Sequence, residues 1–210
     1  MLQPKVNEEQ LKSGSFFEIY DSEEFSLADL KISGEVVEDQ KLPHLFLDRC
    51  VIEKTVFNNS DFSRGEFTDC IFKNCDFSNC DLSQAAIHRV VFINCKLLGT
   101  QLIEAYLGNV VIQESRLDFA NFNDGSLKVV SFEDNQMTKT ELAGLTTKQL
   151  KFSRCQLEDG NFWGTKLKGI DLSDCEFEKL SVTQEDLRGA TINQSQAVFL
   201  ANQLLGVRIK

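Results

Sequence analysis

Large apolar residues recur at every fifth position along most of the chain. The series begins at Leu47 and ends at Ile192, and of its thirty positions only Thr147 is not Leu, Ile, Val, Met or Phe. An α-helix has 3.6 residues per turn and a single strand alternates with a period of two, so neither produces this pattern. A fixed period over most of a chain indicates a repeat architecture. This series, called the ladder below, therefore predicts stacked structural units.

A second column of mostly small residues lies two positions before each ladder residue. Residues two apart in an extended segment point to the same side, so each unit is predicted to turn one small and one large residue inward. The remaining positions are rich in Ser, Asn, Asp, Gly, Arg and Lys, which suits a corner. Segments alternating with corners coil the chain into a solenoid, with coils about 4.8 Å apart. The first small residues are Leu45, Cys50, Thr55, Ser60, Gly65, Cys70, Cys75 and Cys80.

A family resemblance is carried by residues 61–85, which read DFSRGEFTDCIFKNCDFSNCDLSQA. They resemble the pentapeptide-repeat proteins, whose unit reads A(D/N)LXX with Cys, Ser or Thr often replacing Ala. The resemblance covers about residues 42–192. It implies an all-β solenoid, a right-handed quadrilateral β-helix with four units in each coil, followed here by a short C-terminal α-helix.

The ladder divides the chain into three predicted segments. Residues 1–41 follow it poorly, and their first forty positions hold ten acidic residues against three lysines, so we expect an irregular acidic cap or flap. The open end of a solenoid exposes unpaired strand groups and needs a cover. Whether this segment covers that end or an outward aliphatic row stays open. Residues 42–192 are predicted to form the pentapeptide-repeat β-helix, and residues 193–210 a helix and tail.

The C-terminal segment carries apolar residues at helical spacing. Asn193 or Ser195 can cap the start of a helix and Gly206 can end it. The segment resembles the C-terminal helix of the Qnr-type quinolone-resistance proteins, where that helix pairs two subunits, so the resemblance implies a homodimer. The residues that carry it are Gly189, Gln196, Ala197, Leu205 and Gly206, and the predicted dimer contacts are Ala197, Leu200, Ala201 and Leu204.

All seven cysteines fall in the small inward column. Three pairs lie twenty residues apart, so a coil of twenty residues would stack them within the Cα distance of a disulfide. The ligand spacing typical of metal sites is absent, and a cytosolic setting favours reduced thiols that serve as small core groups. We predict neither a metal site nor a cofactor.

Outward residues twenty apart should stack in rows, and three such features are candidate partner surfaces. One is an aliphatic row, for which good strand formers on a regular surface, or cover by residues 1–40, is the simpler explanation; the second is an acidic side; the third is an outward tryptophan. A row of basic residues lies on another side. The aliphatic row is Val51, Ile71, Val91, Val111 and the adjacent Ile93. The acidic side is Glu158, Asp159, Glu176 and Glu178, and the tryptophan is Trp163. The basic row is Lys128, Lys148, Lys168 and Arg188.

The sequence offers no catalytic arrangement. His44 and His88 are far apart and lack the partners of a triad, and there is no Gly-rich phosphate loop. No run approaches eighteen apolar residues and the N-terminus lacks a signal-peptide core, so we expect a cytoplasmic protein. The net charge of −10 disfavours direct nucleic-acid binding.

The Qnr resemblance implies a non-enzymatic protein that binds DNA gyrase or topoisomerase IV, partly as a DNA mimic, and protects it from quinolones. Protection of a topoisomerase against a toxin would use the same binding. The charge distribution fits a DNA mimic less well, because residues 41–210 carry 22 acidic against 19 basic residues. The alternative is a generic protein–protein interaction scaffold whose partner the sequence does not identify.

Overall fold

The computed structural model describes residues 1–208 and shows a parallel β-solenoid. Residues pair with those twenty positions later, as in Phe46 with Glu66 and Val51 with Ile71. The twenty-residue register continues through the break in the ladder, where Leu127 pairs with Thr147. Four five-residue units therefore complete a coil, about eight coils follow one another, and the predicted fold class is confirmed.

Strands occupy two of the four sides of the solenoid, and single bridges such as Val56 with Asp76 hold the other two. Two 3₁₀ helices, Glu8–Gln10 and Phe16–Asp21, precede the coils; helix α1 (Gln184–Leu187) lies within the last coil, and helix α2 (Gln194–Leu205) follows it. The strands are β1 (Lys12–Ser13), β2 (Ser26–Ala28), β3 (Leu30–Ser33), β4 (Phe46–Asp48), β5 (Val51–Glu53), β6 (Glu66–Thr68), β7 (Ile71–Lys73), β8 (Ala86–Ile93), β9 (Tyr106–Gln113), β10 (Ser126–Glu133), β11 (Thr146–Ser153), β12 (Gly160–Asn161) and β13 (Leu180–Ser181).

The ladder residues form the core along the axis of the solenoid. Rings twenty residues apart stack face to face, with centroids 4.8 Å apart for Phe57 and Phe77 and 5.0 Å for Phe72 and Phe92. Rings five residues apart meet edge to face, as Phe72 and Phe77 do at 5.2 Å. Both arrangements suit the charge distribution of an aromatic ring. The five-residue period thus produces two groups of aromatic contacts in the core, one reaching Phe92 and one running from Phe122 to Phe162.

The small inward column also satisfies backbone carbonyls. Thr100 Oγ1 donates to the Phe77 carbonyl at 2.8 Å, and Cys80 Sγ donates to the Phe57 carbonyl at 3.0 Å. In both pairs the acceptor is the carbonyl of a ladder residue that lies 23 residues earlier, in the preceding coil. A buried carbonyl needs such a donor, which explains why Cys, Ser and Thr alternate with Ala here. All seven cysteines are buried and free, and burial raises the pKa of Cys80 to about 12.

Corner residues two positions after the ladder adopt the left-handed conformation. Asn59 and Asn79 have φ angles of 58° and 57°, in the region that Gly, Asn and Asp tolerate best. Val129 has a φ of 61° and is the one β-branched residue with positive φ among residues 1–208. Most corners therefore follow the predicted composition, and Val129 is one of several exceptions, which include Phe25 and Phe119.

The solenoid begins earlier than the sequence analysis placed it. Strand β2 pairs with β4 and β3 pairs with β5, and Leu27, Ile32 and Val37 are buried as backward continuations of the ladder. Residues 26–41 therefore build the first coil and are not an irregular cap. The boundary at residue 41 was wrong, because acidic outward residues masked a ladder that was already present.

Residues 15–22 cover the N-terminal end of the core. Phe16 and Ile19 are buried, and the Phe16 ring meets the Phe57 ring edge to face at 5.2 Å. Ser15 and Glu18 form a capping box at the start of this 3₁₀ helix. The Phe16 N–H donates to Glu35 of the first coil at 2.9 Å. This short helix therefore closes the end that would otherwise expose apolar side chains.

Helix α2 covers the C-terminal end. Its cap is Asn193, whose side chain accepts the N–H of Gln196, and it ends at Gly206, which has a φ of 65°. The buried Gln196 side chain donates to the carbonyls of Leu172 and Cys175 at 2.8 and 2.7 Å. The predicted helix and both of its ends are confirmed, whereas residues 209–210 of the predicted tail lie outside the described residues.

Candidate interaction surfaces

The aliphatic row exists and the N-terminal segment lies beside it. Strand pairing aligns Val51, Ile71, Val91 and Val111, and the row continues to Ser131. Val51 is fully buried, and the other three valine or isoleucine side chains are half-buried. The predicted neighbour Ile93 is half-buried too and pairs with Gln113. Most of the row is therefore accessible only in part.

Residues 1–9, which we call the strap, run along the corner next to this row. The Lys5 N–H donates to Asp69 Oδ1 at 2.8 Å, and the Leu2 N–H donates to Asn109 Oδ1 at 2.9 Å. Glu8 forms a 2.9 Å ion pair with Lys73, and this lowers the pKa of Glu8. The N-terminal region thus covers the end of the core and lies beside the aliphatic row.

The anchors of the strap were missed by sequence reasoning. Asp69 is nearly buried and also receives two bonds of 2.6 Å from the Arg89 guanidinium. The pKa of Asp69 lies below its usual value because these bonds and the Lys5 N–H outweigh the effect of burial. Asp29 with Arg49 and Asp134 with Arg154 repeat the same twenty-residue pairing without a strap. No sequence signal therefore distinguishes Asp69 as an anchor.

A groove continues beyond the end of the strap. It encloses about 700 Å³ and follows the same corner toward the C-terminal coils. Its lining begins at Met1 and the aliphatic row and passes over Val129 and Gln149 to Gly169. Its two flanking charges, Glu133 and Lys151, are of opposite sign. The strap therefore fills only one part of a longer channel, called the corner groove below.

The predicted acidic side is less charged than the sequence suggests. Lys179 forms a 2.6 Å ion pair with Asp159 and lowers the pKa of that carboxyl. Glu158 accepts the backbone N–H of Glu178 at 2.7 Å, one coil above. Glu158, Glu176 and Glu178 line a depression of about 630 Å³ that helix α2 borders. Three carboxylates therefore lie together, whereas the negative charge of Asp159 is compensated by Lys179.

The basic row is also formed. Lys128 pairs in register with Lys148, and the Lys128 ammonium lies 5.3 Å from the centre of the Tyr106 ring. Lys128, Lys148, Lys168 and Arg188 form no ion pair within residues 1–208, whereas the adjacent Lys166 contacts Glu185 and Asp186. The basic row therefore lies on one side of the C-terminal coils, and Glu185 lies beside it.

Trp163 stands out among the aromatic side chains of the outer surface. Its side chain is 66% exposed, while its backbone is held by Asn161 and Gly144. A rigid backbone that presents a large exposed ring is typical of an anchor for a partner. The structure does not bring Trp163 together with the acidic or aliphatic residues in any of the three depressions described here.

The four residues predicted to make a dimer contact line one depression but differ in burial. Leu200 is 3% exposed and packs into the core cluster, so it covers the solenoid end within one chain. Ala197 is exposed, and Ala201 and Leu204 are half-buried. Together with Leu200, these three line a shallow apolar depression of about 470 Å³ that Leu187 and Ile192 border. The helical spacing alone did not separate the face turned to the core from the free face.

Among the described residues, no cluster of metal-ligating side chains is present. Across residues 1–208, no three His, Cys, Asp or Glu side chains converge as metal ligands would. Asn109 and Arg89 border His88, and burial, followed by the charge of Arg89, lowers the pKa of His88. Within the same range, no helix combines the length and apolar character needed to cross a bilayer.

Solved structures share this fold. Two trypsin-treated variants of QnrB1, a plasmid-mediated fluoroquinolone resistance protein, match with TM-scores of 0.60 and 0.52. They are 21% and 18% identical, over 86% and 88% of this chain and 90% and 97% of theirs. No curated protein matches at a significant level of sequence similarity.

Two family models match adjoining parts of the chain. One, described as a pentapeptide repeat region, matches residues 85–162, and the other, described as pentapeptide repeats (8 copies), matches residues 47–84. Together they extend over more than half of the chain, within the coils that the twenty-residue pairing defines. The chain therefore belongs to the family of pentapeptide-repeat proteins.

Proposed function

We propose that this chain is a non-enzymatic cytoplasmic protein that binds DNA gyrase or topoisomerase IV, partly as a DNA mimic, and protects the enzyme from quinolones. The observation that carries the proposal is the likeness of the whole solenoid to QnrB1. At 21% and 18% identity that likeness establishes the fold, and the role is our inference from it. QnrB1 itself is a fluoroquinolone resistance protein.

The charge of the surface supports a partner that normally binds DNA. The chain carries a net charge of −10, and a negative surface is attracted to the basic DNA-binding surface of such an enzyme. Glu158, Glu176 and Glu178 are the carboxylates that we assign to this contact, because no cation within residues 1–208 pairs with them. Asp159 contributes less, since Lys179 neutralises it.

We further propose that two chains pair through the free face of α2. Ala197, Ala201 and Leu204 supply the apolar contact, and Leu200 stays in the core of each chain. A depression with so little polar lining is costly to leave in water. The acidic depression borders the same helix, so pairing would place two acidic sides in one continuous rod.

A supercoiling assay tests the proposal. Purified gyrase is inhibited with a quinolone and the full chain is titrated into the reaction; we expect supercoiling to recover at modest molar excess and to fall at high excess through competition with DNA. The triple variant Glu158→Gln, Glu176→Gln, Glu178→Gln should lose most of this recovery. The matched control Lys128→Gln, Lys148→Gln, Lys168→Gln should retain it. No recovery at any ratio would contradict the proposal.

The second candidate is a scaffold for a different protein partner. The exposed Trp163 favours it, because that side chain lies away from the acidic depression. The extensive pairing of carboxylates with Arg and Lys one coil away also favours it, because such pairing weakens a DNA-like surface. Retention of quinolone protection by Trp163→Ala, with loss in the triple carboxylate variant, would leave the topoisomerase proposal standing alone.

A further inference from the structure

We propose that the corner groove is a docking groove for an extended peptide segment of a partner protein, and that the strap is a built-in occupant which such a peptide extends or displaces. This inference does not depend on the topoisomerase proposal, because it concerns another side of the solenoid and another kind of contact. It commits to a peptide because a peptide already lies in the groove.

The strap shows how the groove holds an extended chain. The backbone N–H groups of Leu2 and Lys5 donate hydrogen bonds to the side chains of Asn109 and Asp69, two corner residues that lie two coils apart. Two coils span about 9.6 Å along the axis, and three residues of extended chain span about 10 Å. The strap therefore runs straight along the solenoid, across its strands, and its backbone is bound by side-chain oxygens.

Between Gln3 and Asn7 the side chains of the strap alternate between exposed and half-buried, as in an extended chain. Pro4 and Val6 are half-buried, and Glu8 pairs with Lys73. Residues with the opposite parity, Gln3, Lys5, Asn7 and Glu9, are exposed. The groove thus accepts an apolar residue, a second apolar residue two positions later and an acidic residue two positions after that. A partner peptide should carry the same apolar-x-apolar-x-acid pattern.

The attachment of the strap is light enough for exchange. Met1 and Leu2 are 48% and 59% exposed, so the first residues bury little apolar surface. The ion pair between Glu8 and Lys73 is partly exposed, and such pairs contribute little. Two backbone bonds and this pair are the polar contacts between residues 1–9 and the coils within residues 1–208. A segment held this way can be replaced by a better-fitting one.

The free part of the groove contains a feature that the fold does not require. Val129 stands at an outward corner with a φ of 61°, where a β-branched residue is strained. Strain retained at an outward position is typical of a functional site. Val129 lies in the lining between the end of the strap and Gly169. The three coils from Asn109 to Gly169 span about 14 Å, enough for about four residues of extended peptide.

The experiment uses the full chain and a fluorescent peptide with the strap sequence MLQPKVNEEQ, labelled at its C-terminus. In the wild type the tethered strap competes with the probe. The variant Val6→Asp with Glu8→Lys weakens the strap but leaves the groove unchanged, so it should bind the probe at least about tenfold more tightly than wild type does. Glu9→Lys, a matched charge change at a residue without an ion pair within residues 1–208, should behave as wild type.

Two further sets of substitutions, one in the groove and one in the probe, test where the peptide binds and which peptide sequence the groove accepts. Asn109→Ala with Val111→Ser, added to the strap variant, should weaken binding at least about tenfold, while circular dichroism melts verify that the coils remain folded. A probe with Ile and Leu in place of Pro4 and Val6 should bind within about threefold of the original, and a probe with Asp in place of Val6 should not.

Several results would overturn the inference. One is no probe binding to the strap variant up to about 1 mM. Another is binding that the groove substitutions leave unchanged. A third is a strap exchanged between two copies, seen as a dimer that becomes a monomer in the strap variant, because the occupant would then be a second copy of this chain. Binding that follows the strap, groove and peptide substitutions as described would support it.

Discussion

Truncation of one ladder ring should destabilise the solenoid far more than truncation of an outward residue. Phe77 is 1% exposed; its ring stacks on Phe57 at 4.8 Å and meets Phe72 and Phe92 edge to face at 5.2 and 5.8 Å. Phe77→Ala therefore leaves a cavity between three rings and should cost about 3–5 kcal/mol. At about 2–4 °C per kcal/mol for a chain of this size, the melting temperature should fall by about 6–20 °C.

Two matched substitutions test whether the loss of stability depends on the inward position and the size of the side chain. Ser83→Ala alters an outward side chain and should change the stability by less than about 0.5 kcal/mol. Phe77→Leu should cost about 1.5 kcal/mol or less, because Leu97 occupies the next ladder position on the same side. Far-UV circular dichroism and the fluorescence of Trp163, the single tryptophan, follow the melts. Similar losses for Phe77→Ala and Ser83→Ala would refute the assigned inward positions.

The other predictions concern thiols, helix α2 and a corner. Thiol titration should give seven thiols per chain in denaturant and slow reaction in the native state, because all seven thiols are buried; rapid native labelling would contradict this. Leu204→Asp should separate the dimer in sedimentation experiments with little change in melting temperature, whereas Leu200→Asp should lower the melting temperature. Equal effects of the two substitutions would refute the assignment of Leu200 to the core face of α2 and Leu204 to its free face. Val129→Asn should raise the stability by up to about 1 kcal/mol, because Asn tolerates positive φ, and chemical denaturation measures it.

The five-residue period was sufficient to predict the fold because it encodes both the core and the coil. Each ladder residue is inward by the geometry of an extended segment, and four units per coil place rings such as Phe57 and Phe77 in contact. The same period, followed backward to Leu27, would also have located the first coil. The twenty-residue register also predicts that Asp159 lies next to Lys179, and this ion pair reduces the net negative charge of the acidic side.

The rest depends on contacts that have no period. The strap is held by backbone N–H groups on Asp69 and Asn109, and any residue can supply such an N–H. Leu200 and Leu204 have equivalent places in a helical pattern, and only the docking of α2 on the last coil turns Leu200 inward. Side-chain spacing predicts which residues share a face, but not which neighbouring segment that face meets.

Direct binding between the full chain and purified gyrase tests the central claim most directly. The chain is immobilised, gyrase is titrated at physiological salt, and duplex DNA is then added as a competitor. We predict saturable binding that weakens as salt increases, that DNA displaces, and that the variant Glu158→Gln, Glu176→Gln, Glu178→Gln reduces. Absence of binding at tens of micromolar gyrase (about −6 kcal/mol or weaker), or binding that neither DNA nor the triple variant affects, would contradict the claim.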